Sequence, residues 1–138
     1  MSRLFLIVSL PLVLIAFSGT TVLSVQDQPQ PKPEVKKIDI DEFDTMRQGK
    51  DAVVLDVRTK QEFAEGHVPG AVNIDISDPQ FRKKVGELDK SKTYLVHCAR
   101  GVRSARATKA MSAMGFDRLF DFHGGFEAWK KSGKPIEK

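Results

Sequence analysis

Two short apolar runs most constrain what this chain can become. Ala52 to Val57 is apolar apart from Asp56, and Thr93 to His97 reads TYLVH. Both are short, rich in β-branched or aromatic residues, and bounded by charge or turn formers. Such runs suit strands covered on both faces, as in a parallel sheet, better than the alternating strands of a half-exposed one. The segments around them carry the complementary pattern. Ile38 and Ile40 predict a short first strand, after which Asp41 caps a helix from Glu42 to Gln48 that Gly49 closes. Lys60 to Glu65 reads as one or two helical turns stopped by Gly66, and Ala71 to Ile76 as a third strand. Asp78-Pro79 opens a helix with proline at its first position, running to about Leu88. Arg103 to Met114 has an alanine- and methionine-rich face and ends at Gly115. Leu119 to Phe122 is a fifth strand, and Gly125 to Lys131 a last helix ended by Gly133 and Pro135. Strands alternating with helices predict an α/β fold: a five-stranded, mainly parallel sheet with helices on both faces.

The full chain has 138 residues, enough for one such domain, and its net charge of +4 is spread over interspersed Lys, Arg, Asp and Glu. No concentrated basic patch points to nucleic acid; Arg82-Lys83-Lys84 and Lys130-Lys131 read as solvated helix faces. The N-terminus has a different composition. Arg3 precedes an apolar run from Leu4 to Phe17, followed by small and polar residues. This is the layout of a secretory signal, with Val22 and Ser24 at the −3 and −1 positions of a cut after Ser24 and Ser18 or Gly19 as the alternative boundary. The run is shorter than the ~20 residues of a spanning helix, so residues 1–24 are read as a signal peptide and contact with a membrane is expected only if they stay uncleaved. Cleavage removes Arg3 alone, leaving 21 − 18 = +3. Residues 25–35 (VQDQPQPKPEV) form a proline- and glutamine-rich spacer, and 36–138 the domain. The chain is therefore expected outside the cytoplasm, periplasmic or secreted, as a monomer.

There is one cysteine, which excludes an intramolecular disulfide and a Cys-rich zinc site. Cys98 follows the fourth strand, at the carboxyl edge where α/β proteins place chemistry. The loop Ala99-Arg100-Gly101-Val102 and the helix start at Arg103-Ser104 supply backbone N–H groups around it. Gly101 lets the backbone curl. Arg103 is placed to fold over the cradle and bind an anion bidentately, and Arg100 adds charge at the rim. This positive field favours the Cys98 thiolate. His97, as the strand neighbour of Cys98, points to the opposite face and is read as structural; His67 holds a turn, and His123 is a weak candidate for the pocket rim. The three histidines have no metal-binding spacing, and no metal or cofactor is expected. Asp56 and Arg58 end the second strand at the same sheet edge. Arg58 is read as an ion-pair residue with Glu62 as partner, with a place at the pocket entrance, bringing in substrate, as the alternative. Trp129 is read as core, and Gly101 belongs to no nucleotide-binding G-x-G-x-x-G.

These segments together resemble the single-domain rhodaneses, thiosulfate sulfurtransferases. Val54 to Arg58 with Glu62-Phe63 and Gly66 to Ile74 is similar to the family's first signature, Cys98 to Ser104 to its active loop, and Gly124-Gly125-Phe126 with Trp129 to its closing signature. The resemblance covers about Lys36 to Pro135. It implies that Cys98 is the nucleophile and carries a persulfide, with Ala99, Arg100, Gly101, Val102, Arg103, Ser104 and Arg58 binding a small anionic sulfur donor, and a thiol or cyanide accepting the sulfur. Two other readings remain. A cysteine phosphatase or arsenate reductase uses a C-x5-R loop, whereas Cys98 to Arg103 is C-x4-R and no aspartate is well placed as general acid. A non-catalytic sulfur carrier or interaction module shares the fold without turnover.

Overall fold

The computed structural model describes residues 33–138. The signal peptide read over 1–24 lies outside the described residues, as does all of the 25–35 spacer except its last three. Among the described residues no helix is long and apolar enough to cross a membrane. Of the spacer's last residues, Val35 packs against the core and the Pro33 carbonyl accepts from the Ser112 hydroxyl at 3.5 Å, so the domain is joined just before its first strand.

The elements run β1 (Lys36–Ile38), α1 (Ile40–Met46), β2 (Ala52–Asp56), α2 (Lys60–Glu65), β3 (Val72–Asn73), α3 (Phe81–Gly86), β4 (Thr93–His97), α4 (Val102–Ala113), β5 (Leu119–Phe122) and α5 (Gly125–Lys131). The five strands form one sheet in the order β1-β5-β4-β2-β3. Every pairing is parallel. The two apolar runs, β2 and β4, lie side by side, with Ala52 opposite Thr93 and Asp56 opposite His97.

Alternation along these strands divides the core. Leu55, Val57, Tyr94 and Val96 face Phe81 and Val85 of α3 and Ala107 and Met111 of α4. Their neighbours Val54 and Leu95, with Phe122, face Phe43 of α1 and Phe126 and Trp129 of α5. Phe43 stacks on Phe122 at 4.4 Å and meets Trp129 edge-on at 5.6 Å. Trp129 is fully buried, as its spacing suggested, and its indole N–H donates to the Pro135 carbonyl at 2.8 Å. Truncating a buried aromatic such as Phe43 to alanine costs about 3–5 kcal/mol.

Several boundaries differ from the sequence reading: β2 ends at Asp56 rather than Val57, α4 runs Val102–Ala113 rather than Arg103 to Met114, and α1, β3 and α3 differ for identifiable reasons. Asp39, not Asp41, caps α1: its carboxylate accepts from the N–H groups of Asp41 and Glu42, and the Glu42 carboxylate accepts from the Asp39 N–H. Ile40 is therefore helical and β1 stops at Ile38. β3 shrinks to Val72–Asn73, where the Asn73 amide donates to the Asp56 and Arg58 carbonyls at 2.9 Å each. Asp78-Pro79 forms a turn ahead of α3, with the Phe81 N–H bonded to the Asp78 carbonyl at 2.9 Å. Proline is thus outside the helix it was expected to begin.

Candidate active site

β4 delivers Cys98 to the sheet edge and α4 starts four residues later. Two glycines make the intervening loop possible. Gly101 has φ 92°, and a Cβ there would stand 2.4 Å from the His123 carbonyl oxygen. Gly125 has φ 62°, and its Cβ would stand 2.4 Å from the Ala99 carbonyl oxygen. This close approach lets the first turn of α5 bond the loop from behind: Phe126 N–H donates to the Cys98 carbonyl at 2.8 Å and Glu127 N–H to the Ala99 carbonyl at 3.1 Å.

Within this frame the Cys98 side chain is 1% exposed. Gly101 N–H donates to Sγ at 3.1 Å, and the backbone N–H groups of Arg100 and Ser104 also favour the charged sulfur. The thiol donates to the Ser104 hydroxyl oxygen at 3.7 Å. Burial pushes the thiol up, but the Ser104 N–H and hydroxyl and the Arg100 and Gly101 N–H groups together outweigh it, so Cys98 lies below its ordinary value. Of the N–H groups expected around the sulfur, that of Gly101 bonds it directly.

The arginines are arranged differently. Arg103 does not close over the cradle. Its guanidinium forms a bidentate pair with Glu62, Nη1 to Oε2 at 2.7 Å and Nη2 to Oε1 at 2.8 Å. The Arg103 hydrogen bond holds the Glu62 carboxyl down at about 2. Glu62 also closes the capping box of α2 with Thr59, so one carboxylate fixes both a helix start and an arginine. Arg58 is not at the entrance and does not pair with Glu62. It is 4% exposed, and its Nε and Nη2 donate to Asp56 while Nη2 also reaches the Gly66 carbonyl at 2.8 Å. The guanidinium lies 4.0 Å above the Phe126 ring. A strand-end carboxylate two residues away and an aromatic face outcompete the more distant Glu62 for this buried cation.

Arg100 is exposed, and Val102 is exposed beside it. With Glu62, Ala99, Arg103 and Glu127 they ring a mouth of about 320 Å³ over Cys98. A second cleft of about 610 Å³ adjoins it, sharing Glu62, Ala99 and Glu127 and walled by Arg58 and Phe126. His97 is fully buried against Phe43 and Phe122, and its Nδ1–H donates to the Cys98 carbonyl at 3.1 Å. Burial lowers its pKa, and Asp56 only partly opposes this. His67 stacks on Phe63 and donates from Nδ1 to the Phe63 carbonyl at 2.9 Å, while His123 is exposed and contributes its carbonyl to the Gly101 contact. Among the described residues no three His, Cys, Asp or Glu side chains cluster as metal ligands.

The model of the rhodanese-like domain matches residues 39–132. The chain belongs to the rhodanese-like family. It is 36% identical over 93 residues to thiosulfate sulfurtransferase 16, chloroplastic, of Arabidopsis thaliana, covering 60% of this chain and 78% of that one. It is 33% identical over 92 residues to thiosulfate sulfurtransferase GlpE of Glaesserella parasuis, covering 67% and 83%. In structure it is similar to a rhodanese-related protein of Thermoplasma volcanium, with a TM-score of 0.67 and 32% identity, covering 74% of this chain and 97% of that one.

Two residues of this rhodanese-like site were not singled out from the sequence. Asp121 of β5 is 2% exposed and accepts from the Ser104 hydroxyl at 2.6 Å. Its signal was a charge inside the apolar strand LFDF. Glu127 was hidden in a helix otherwise read as core and surface.

Proposed function

We propose that this chain is a sulfurtransferase that carries sulfane sulfur on Cys98. The observation that supports it most is the buried Cys98 sulfur, which accepts the Gly101 N–H at 3.1 Å in a loop that the α5 N–H groups clamp from behind. The loop N–H groups favour a thiolate and would equally hold the anionic outer sulfur of a persulfide. The Cys98 thiolate attacks the outer sulfur of thiosulfate or a similar donor. A Cys98 S–S bond forms as the donor S–S bond breaks, and sulfite leaves with the electron pair. A thiol or cyanide acceptor then attacks the outer sulfur, and Cys98 leaves as thiolate. The two half-reactions share one site, so ping-pong kinetics follow. The mouth admits a small anion to a sulfur that is almost wholly buried, and Arg100 at its rim attracts negative charge. We place this activity in an exported protein, periplasmic or secreted, on the strength of residues 1–24.

Intact-mass analysis before and after thiosulfate tests the proposal. One added sulfur atom on Cys98, removed by cyanide with formation of thiocyanate, is the expected result. Hydrolysis of phenyl phosphate without thiocyanate formation would overturn it, and a protein that takes up no sulfur would be a binding module.

A further inference from the structure

Ser104 stands between two acidic groups. Its hydroxyl oxygen is 3.7 Å from Cys98 Sγ on one side and 2.6 Å from Asp121 Oδ1 on the other. The hydroxyl has one proton, and Asp121 is its nearest acceptor, ahead of the Gly101 carbonyl at 3.2 Å. With that proton committed to the carboxylate, the oxygen presents a lone pair to the thiol. We propose that Asp121 is a positioning residue that holds the Cys98 proton, receiving it through the Ser104 hydroxyl. The S–H bond breaks and its proton joins Ser104 Oγ, while the hydroxyl's own proton moves to Asp121 Oδ1. Negative charge passes from carboxylate to sulfur, no electrons are transferred between groups, and no co-reactant is required. The Ser104 O–H then points at the thiolate it helped to form.

The surroundings of Asp121 suit a carboxylate that accepts a proton. Burial raises its pKa, opposed by the Ser104 hydrogen bond and by the charges of Lys37 and His123. On β4 it is paired with the apolar Val96, on β1 with Lys37, and from α4 it is faced by Ser104. It also lines a groove of about 400 Å³ between β1 and α4, with Thr108 and Lys109 on the helix side. Cys98 is faced by Arg100 and Arg103 of its own loop and α4, with Glu62 of α2 and Glu127 of α5 at the mouth. On the strand side Asp56 pairs with Arg58, and neutral His97 turns away.

The proposal rests on the sulfurtransferase reading only for the use made of the thiolate, and its test needs no sulfur donor. Because Cys98 is the chain's one cysteine, the rate of its alkylation by iodoacetamide reports on it alone, and the ultraviolet absorbance of the thiolate does so at pH values below the ionisation of Tyr94. A proton shared by two groups leaves in two stages, so the full-length protein is expected to show two steps against pH. Asp121→Asn keeps the shape of the side chain. It should give a single step, with a midpoint about 1 pH unit or more below the upper step of the wild type, because the neighbouring negative charge is gone. Ser104→Ala should give a single step with a raised midpoint, because the relay is cut and a donor to the thiolate is lost. The same single-step curve in the wild type and Asp121→Asn, both folded by circular dichroism, would overturn the proposal. A protein with the expected curves that never takes up sulfur refutes the functional reading alone.

Discussion

At the scale of single residues, the mouth over Cys98 is set by a charge balance between Arg103 and Glu62. The pair is about one third exposed, so its contribution to stability is modest, of order 1 kcal/mol or less. Its effect on binding of the proposed anionic donor should be larger and has a sign. Arg103→Ala removes the cation and leaves the Glu62 carboxylate facing the mouth, so the KM for thiosulfate should rise about tenfold or more. Glu62→Gln frees the guanidinium and should lower that KM. Steady-state kinetics of both variants decide the point, and equal shifts in one direction would show that the pair acts only by holding α2 and α4 in place. The carboxyl of Glu62 is depressed from 4.5 to about 2 in the folded protein. Its stabilising contribution is therefore complete above about pH 4.5 and disappears as pH falls through about 2. Cys98→Ser should abolish sulfur uptake in the mass assay while leaving the unfolding midpoint nearly unchanged, since the two side chains are nearly isosteric. Residual sulfur transfer in that variant would remove Cys98 from the mechanism.

At the scale of elements, the active loop is held by α5 as much as by the strand and helix that flank it. The N–H groups of Phe126 and Glu127 bond the carbonyls of Cys98 and Ala99, and Gly125 permits the approach. Gly125→Ala places a Cβ 2.4 Å from the Ala99 carbonyl oxygen at a left-handed φ. The cost should be at least about 1–3 kcal/mol in urea unfolding, with a disproportionate loss of sulfur uptake because the displaced backbone carries Cys98. Full activity with reduced stability would show that the clamp is not part of the site. The same scale separates what was legible in the sequence from what was not. β4, β5, α2 and α5 were read with their observed boundaries because glycine, proline or charge punctuates each. The start of α1 was misplaced because Asp39 and Asp41 are both acceptable caps by composition. The deciding signal was the capping-box spacing Asp39 to Glu42, which fixes Asp39. β3 was read too long because apolar alternation to Ile76 says nothing of the Asn73 side chain, which takes the carbonyls of Asp56 and Arg58.

At the scale of the whole molecule, the site depends on contacts that sequence proximity does not reveal. Cys98, Gly101 and Ser104 were legible because one loop contains them. The partner of Arg103 lies in α2 and that of Ser104 in β5, and only the strand order brings both to the sheet edge beside β4. The same packing buries His97 between the sheet and the aromatic layer of Phe43 and Phe122, and that makes global stability depend on pH. Burial holds the imidazole below its ordinary value of 6.5, whereas the unfolded chain protonates it there. The unfolded state therefore binds more protons below about pH 6.5, and stability present above that value is lost as pH falls through the folded value. The loss approaches about 1.4 kcal/mol for each pH unit within that window. Asp121 contributes with the opposite sign: burial raises it above 3.8, so stability present below 3.8 is lost as pH rises through its folded value. A variant comparison separates the two. His97→Asn places an amide N–H near the position of Nδ1, facing the Cys98 carbonyl, but has no titration in this range. Urea midpoints measured at a series of pH values should converge for wild type and variant as pH falls below 6.5, because only the wild type loses the imidazole contribution. Parallel curves would mean that His97 is already protonated in the fold, and that the Asp56 carboxylate near its Nε2 outweighs burial.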